Sequence, residues 1–324
     1  MVAAECCVKN FYSLLEFCFP IKVWKMKFGT FLFEPEKVPG FDFDVFRAKP
    51  EVGRRQPPRH DMYSNVAIFG DNVTARNHPE WVSQSEYGPA LRTNDRYNFR
   101  WDILCPTVPE YREEMLKYIE EVDRASQGVW LNSIHFADHG HCICPRCKER
   151  WKKSGLSWLE WRKKEVTDYI AQIRDVVKKE LVIGLLPDPV SSYERFGIDF
   201  DALAPYADAF NVVMFSKNYA TPWYWEMLCM GFKKLLKKPM YISLYVFGPG
   251  DDPKEVPSPA ELLTVSVRCG RTGIDGILYL AGKASQIVDF QKAAVDKIEL
   301  RQKLKSYGCP EVLELVDRWE QIVG

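Results

Sequence analysis

Short apolar runs alternate with helical patterns along most of this chain, and that alternation constrains the fold more than any other feature. The runs are residues 27–33 (KFGTFLF), 65–70 (NVAIFG), 99–104, 129–136, 181–186 (LVIGLL), 210–215 (FNVVMF), 240–247 (MYISLYVF) and 276–280 (GILYL). Such runs, bounded by turn formers, read as strands covered on both faces. Between the later runs lie helical patterns at 109–124, 157–179, 221–238, 258–269 and 285–307. In the first of these, Met115, Tyr118, Ile119 and Val122 recur at three and four, the spacing of one buried helix face. Thr107 is placed to cap it and Pro109 to occupy its first turn. Repeated βα units follow. Eight strands with no internal linker predict an α/β protein: a single (β/α)8 TIM barrel over 27–307, with an N-terminal extension at 1–26 and a C-terminal helix at 308–324 packed on the barrel. An open doubly wound sheet is the alternative. The segment 34–98 is long and irregular.

A chain of 324 residues with 46% hydrophobic content can build one such core. Lysine plus arginine equals aspartate plus glutamate at 44 each, so no basic excess marks a nucleic-acid partner. Lys233, Lys234, Lys237 and Lys238 read as a solvated helix face. No window holds the roughly 18 consecutive apolar residues of a membrane span. Glu5, Lys9, Glu16 and Lys22 interrupt any signal-peptide core. Six scattered cysteines (Cys6, Cys7, Cys18, Cys229, Cys269, Cys309) form no disulfide framework. Together these features suggest a reducing, cytoplasmic setting with no membrane partner. A homo-oligomer is compatible with them.

Four further cysteines have metal-like spacing: Cys142, Cys144 and Cys147 in Cys142-Ile143-Cys144-Pro145-Arg146-Cys147, and Cys105 upstream in Leu104-Cys105-Pro106-Thr107. Zinc takes four thiolates in a tetrahedron, and a closed sphere of that kind holds a loop rather than activating water. The expected cofactor is therefore one structural zinc. Three reduced cysteines, or a Cys144–Cys147 disulfide, are the alternatives, and His139 and His141 are substitute ligands.

The stretches Cys105-Pro106-Thr107-Val108-Pro109-Glu110-Tyr111-Arg112 and Cys142-Ile143-Cys144-Pro145-Arg146-Cys147 are similar to those of family 42 glycoside hydrolases, the β-galactosidases. The close resemblance covers roughly residues 99–152. It implies a barrel acting on a carbohydrate substrate, with zinc on the loops after the third and fourth strands. The family ends its fourth strand with Asn-Glu, whereas this chain has Phe136-Ala137-Asp138-His139-Gly140; it also lacks a glutamate at the end of 240–247.

Barrel enzymes draw their chemical groups from the carboxyl ends of strands. Those positions nominate Asp138, Asp188 and His139 as catalytic, since two carboxylates can divide acid and base roles in glycoside cleavage. They nominate Asp71, Asn72, Asn218, Tyr245 and Trp223 as substrate ligands, aromatic rings being natural platforms for sugar faces. His135 reads as structural. Asp71 serves equally well as a turn former, Asp188 as a cap and Asp138 as an anchor of the cysteine loop. The loop 248–253 is a possible lid. The expected function is a hydrolase, a glycosidase cleaving an O-glycosidic bond by carboxylate acid/base chemistry. The competing readings are a non-catalytic carbohydrate-binding or scaffold barrel and a tRNA-guanine transglycosylase-like zinc barrel.

Overall fold

The structure is a computed structural model that describes residues 25–97, 99–138, 140–296, 298–306 and 308–324. Eight parallel strands close into a barrel. They are β1 (Lys27–Leu32), β2 (Phe43–Lys49), β3 (Tyr63–Ala67), β4 (Gly128–Asn132), β5 (Glu180–Leu185), β6 (Ala209–Met214), β7 (Met240–Phe247) and β8 (Gly276–Ala281). Each strand pairs with its sequence neighbours, and β1 closes the ring on β8 with Lys27 beside Gly276. The expected (β/α)8 barrel is therefore the fold.

The strand count agrees with the sequence expectation, but its membership does not. Strand β2 lies in the segment read as irregular. Residues 99–104 form no barrel strand and make only the isolated bridges Gly70–Ile103 and Val82–Leu104. The reason is composition. The β2 sequence FDVFRAK carries three charged residues, yet all three are buried: Asp44 accepts from Thr30 Oγ1 at 2.6 Å, Arg47 pairs with Glu51, and Lys49 pairs with Asp71. Buried charges paired in this way satisfy the general rule for polar groups in a core, but they disguise a strand.

Side chains alternate in and out along each strand. The inward set includes Phe31, Val45, Trp130, Val182, Tyr241 and Leu278, a cluster separate from the layer between strands and helices. At the amino end, Phe43, Tyr63, Trp130 and Tyr241 close the floor with ring centroids 5.5–6.2 Å apart. Higher up, Ser243 Oγ donates to Asn211 Oδ1 at 2.9 Å.

The helices are α1 (Asn72–Asn77), α2 (Pro109–Ala125), α3 (Pro145–Ser154), α4 (Trp158–Val176), α5 (Ser192–Phe196), α6 (Phe200–Leu203), α7 (Pro222–Leu235), α8 (Pro259–Gly270), α9 (Ala284–Val295), α10 (Ile298–Lys305) and α11 (Pro310–Val323). Helix α2 buries Met115, Ile119 and Val122, as its spacing predicts, and starts on Pro109. Its cap position is Val108, not Thr107; the Thr107 hydroxyl turns instead to Cys105 and Cys147. The expected single helix 285–307 is broken into α9 and α10, with Asp296 ending the first. The expected C-terminal helix is α11. It buries Val312, Leu315, Val316 and Trp319, each worth about 1.5–3 kcal/mol for an aliphatic chain and more for the indole. Trp319 packs on Phe41 and Phe290 at 5.5 and 5.4 Å. No described helix is long and apolar enough to cross a membrane.

Candidate functional site

The loops at the carboxyl end of the barrel carry two constellations. The first is the cysteine cluster. Bridging of Ile103 and Leu104 to the rim holds Cys105, whose N–H donates to Trp81 O at 2.7 Å. Ile143 N donates to Gln84 O at 2.7 Å and pins the knuckle from the other side. Cys144 caps α3, and Cys147 lies in its first turn, where the helix dipole favours negative charge. The four sulfurs of Cys105, Cys142, Cys144 and Cys147 all lie within 4.8 Å of one another. Cys105 Sγ stands 3.8 Å from Cys144 Sγ and 3.3 Å from Cys147 Sγ. Four thiolates at about 2.3 Å from a shared ion would stand about 3.8 Å apart, so the set fits a tetrahedral metal. Gln84 N–H donates to Cys142 Sγ at 3.2 Å, and the Thr107 hydroxyl lies 3.2 and 3.3 Å from two of the sulfurs. Such contacts are the usual outer support of a metal site. Buried Arg162 adds a cation nearby. Burial pushes it down to about 10, against the pull of Asp138, Cys142 and Cys147. Among the described residues this is the one group of three or more His, Cys, Asp or Glu side chains placed to share an ion.

The second constellation is a cleft of about 80 Å³ above the barrel core. It is lined by Arg47, Glu51, Trp101, Asn132, Ser133, His135 and Phe215, with Gly184, Leu185, Leu186 and Val213. A larger hollow of about 370 Å³ lies at the opposite end, around Lys37, Phe43 and Asp61. Barrel chemistry belongs to the carboxyl end, which favours the smaller cleft.

Arg47 Nη1 donates to Glu51 Oε2 at 2.7 Å, and both side chains are more than nine-tenths buried. The guanidinium lies over the Phe33 ring at 4.4 Å. Ser133 Oγ donates to Glu51 Oε1 at 3.3 Å. Immediately after β4, Ser133 adopts φ +50°, which few non-glycine residues do. Asn132 reaches over Gly184, where a Cβ would stand 2.3 Å from Asn132 Oδ1; only glycine admits that carboxamide. His135 Nδ1 pairs with Phe136 O at 2.7 Å, the donor arrangement of a neutral ring, and burial pushes its pKa down to about 4.

The expected catalytic aspartates do come together, on Arg195. Its Nε donates to Asp138 Oδ2 at 3.0 Å and its Nη1 to Asp188 Oδ2 at 2.8 Å. Asp188 also accepts from Val190 N and Ser191 N at 3.1 and 2.8 Å, and neither aspartate lines the cleft. His139 lies outside the described residues. Asp71 caps α1 through Val73 N and Thr74 N and pairs with buried Lys49 at 2.9 Å. Asn72 Oδ1 accepts from Asp102 N at 2.7 Å. Both therefore serve the β3–α1 turn. Asn218 Oδ1 accepts from Ala220 N in an exposed turn, and Trp223 is 55% exposed on α7. Tyr245 borders the cleft: its ring packs on Phe215 at 6.0 Å and its hydroxyl donates to Asp251 at 2.5 Å. Sequence reading missed Arg47, Glu51, Asn132, Ser133 and Phe215. The one signal for the first two was the alternation Phe43, Val45, Arg47 at the end of an unrecognised strand.

Neither a family model nor a curated protein matches this sequence. Solved structures do. An α-L-fucosidase isoenzyme 2 from Paenibacillus thiaminolyticus matches at TM-score 0.56 and 10% identity over 92% of this chain. The match spans about half of the fucosidase (49%). An α-galactosidase from Thermus thermophilus, solved with stachyose, matches at TM-score 0.46 and 11% identity, covering 88% of this chain and 65% of that one. A GH18 chitinase from Pseudoalteromonas aurantia matches at TM-score 0.42 and 9% identity, covering 80% and 94%. At 10% identity the likeness to the fucosidase is one of fold.

Proposed function

We propose that this chain is a glycoside-hydrolase-like barrel that takes a carbohydrate in the cleft above β2, β4, β5 and β6 and acts on an O-glycosidic bond. One observation carries the reading. The cleft combines a carboxylate, a guanidinium, a carboxamide, a neutral imidazole and aromatic walls, the mixture that binds a ring with one polar edge and one apolar face. The fold shared with the fucosidase and the family 42 resemblance at Cys105 and at 142–147 point the same way. The cysteine cluster is proposed to hold a structural zinc, four thiolates leaving no open position for water. Asp138 and Asp188, which stand outside the cleft lining, are the proposed acid/base pair. Both pair with Arg195, so their use in cleavage requires a substrate that extends beyond the cleft lining and displaces that half-exposed guanidinium.

A second reading, a carbohydrate-binding barrel without turnover, is favoured by one observation: among the described residues Glu51 is the only carboxylate lining the cleft, and glycoside cleavage normally uses two. Incubation with a panel of 4-nitrophenyl glycosides decides between them. Release of nitrophenol that is lost in Asp138→Asn supports cleavage; binding without release supports the second reading. Neither binding nor release by the wild type refutes both.

A further inference from the structure

We infer that the Arg47–Glu51 pair is the hydroxyl-recognising element of the cleft, and that it selects a neutral sugar ring presenting two adjacent hydroxyls. The inference rests on the carbohydrate reading above and adds to it the residues and the ligand class.

Glu51 is held from several sides. Arg47 and Ser133 donate to its two carboxylate oxygens, and its own carbonyl accepts from Asn72 N at 2.9 Å. Ser133 keeps its place in the left-handed backbone region, a conformation few non-glycine residues adopt. Gly70 makes the convergence possible. A Cβ there would stand 2.8 Å from Glu51 Cγ, 2.9 Å from Ser133 Oγ and 2.9 Å from the Trp101 ring. Stability alone gives weak grounds for this construction, because a buried ion pair is often no better than apolar residues of the same volume. A ligand does explain it.

A carboxylate has about four lone-pair sites and a guanidinium five N–H groups, so the pair retains capacity after satisfying itself. One sugar hydroxyl can donate to Glu51 while the oxygen of its neighbour accepts from Arg47. Charge-assisted hydrogen bonds of this kind are the strong ones. Asn132 and neutral His135 stand in the same lining, and Phe215 and Trp101 offer apolar walls for the carbon face of the ring. The pair is electrically balanced. An acidic sugar would bring its carboxylate up to Glu51 with no unneutralised cation in the cleft lining to receive it.

Calorimetric titration tests this, with the methyl glycosides of neutral hexoses and of glucuronic acid as probes against the wild type, Glu51→Gln, Glu51→Asp and Phe215→Leu. The expected result is that at least one neutral glycoside binds and the glucuronide binds at least tenfold more weakly. Glu51→Gln should lose at least tenfold in affinity for the neutral probe. If Glu51→Gln does not fold, Glu51→Asp, which keeps the charge and withdraws it, should show the loss in a protein of near-normal melting temperature. Wild-type affinity in the folded Glu51 variants, or tighter binding of the glucuronide, would overturn the inference. Binding that survives at Glu51 and Phe215 but disappears in Trp223→Ala would move the site and defeat this inference alone. A wild type that binds no probe would defeat the carbohydrate reading itself.

Discussion

Replacing Asp71 by asparagine should destabilise the fold and leave sugar binding intact. Asp71 Oδ2 lies 2.9 Å from Lys49 Nζ, and Lys49 is 2% exposed at the end of β2, beside β3. The same carboxylate accepts from Val73 N, Thr74 N, Thr74 Oγ1 and Tyr111. Asparagine caps a helix about as well as aspartate, so the cap through Oδ1 survives while the charge is lost and the acceptor facing Lys49, Thr74 Oγ1 and Tyr111 becomes a donor. What remains is a buried ammonium with only Ala67 O as a further acceptor at 2.8 Å. Breaking one side of such a pair costs about 3–5 kcal/mol. Equilibrium urea unfolding should show that loss as a lower midpoint at unchanged slope. Removing both charges in Lys49→Met/Asp71→Asn should recover at least about half of it, since apolar replacement of a whole pair is often near neutral. The pH dependence has a definite sign. Burial alone would raise the Asp71 pKa, but the Lys49 charge and the Thr74 N–H outweigh it, and the net shift is downward. The stabilisation is then full above the unfolded value of about 3.9 and is lost as pH falls through the lower folded value. The gap between wild type and Asp71→Asn should accordingly be constant near neutrality and close in strong acid. A loss below about 1 kcal/mol, or a variant of normal stability with weakened sugar binding, would refute the reasoning and return Asp71 to the ligand set.

Other outcomes follow from the same geometry. The protein should carry one zinc per chain by elemental analysis, and Cys142→Ser should lose the metal and lower the melting temperature while leaving the cleft competent to bind. His135 should make stability fall as pH drops from about 6.5 to about 4. Its folded value lies below the unfolded one, so the unfolded chain binds the proton first, for a loss of up to about 3 kcal/mol that His135→Gln should abolish in urea titrations at stepped pH. Arg195→Ala should cost about 1–2 kcal/mol, because it leaves buried Asp138 without its guanidinium while Asp188 keeps two backbone donors. The readout is the same urea midpoint.

The barrel was legible in the sequence because seven of its strands overlap predominantly apolar runs, as expected of strands covered by helices. Strand β2 was not, because two of its charged residues are satisfied by partners distant in sequence: the Thr30 hydroxyl for Asp44 and the Asp71 carboxylate for Lys49. The run 99–104 looked strand-like because Ile103 and Leu104 are apolar, but those residues bury against the rim rather than in the sheet. The cysteine cluster was readable because three of its members are close in sequence and the chemistry of four sulfurs is specific. The cleft was not, because Glu51 and Ser133 converge only through barrel closure. Asp71 and Asp188 drew attention as acids at strand ends, and that position also suits turn formation: Asp71 is the N-cap of α1, and Asp188 accepts from two backbone N–H groups just ahead of α5. A glycine was the least visible part of the design: Gly70 bears no chemistry, yet its missing Cβ lets Glu51, Ser133 and Trp101 meet.

Diffraction from crystals grown with the tightest-binding neutral glycoside tests the central claim most directly. A sugar ring lodged among Glu51, Asn132 and Phe215, with adjacent hydroxyls on Glu51 and Arg47, is the expected result. A ring bound at Trp223 or at the amino-end hollow, with the cleft free of sugar, would contradict it.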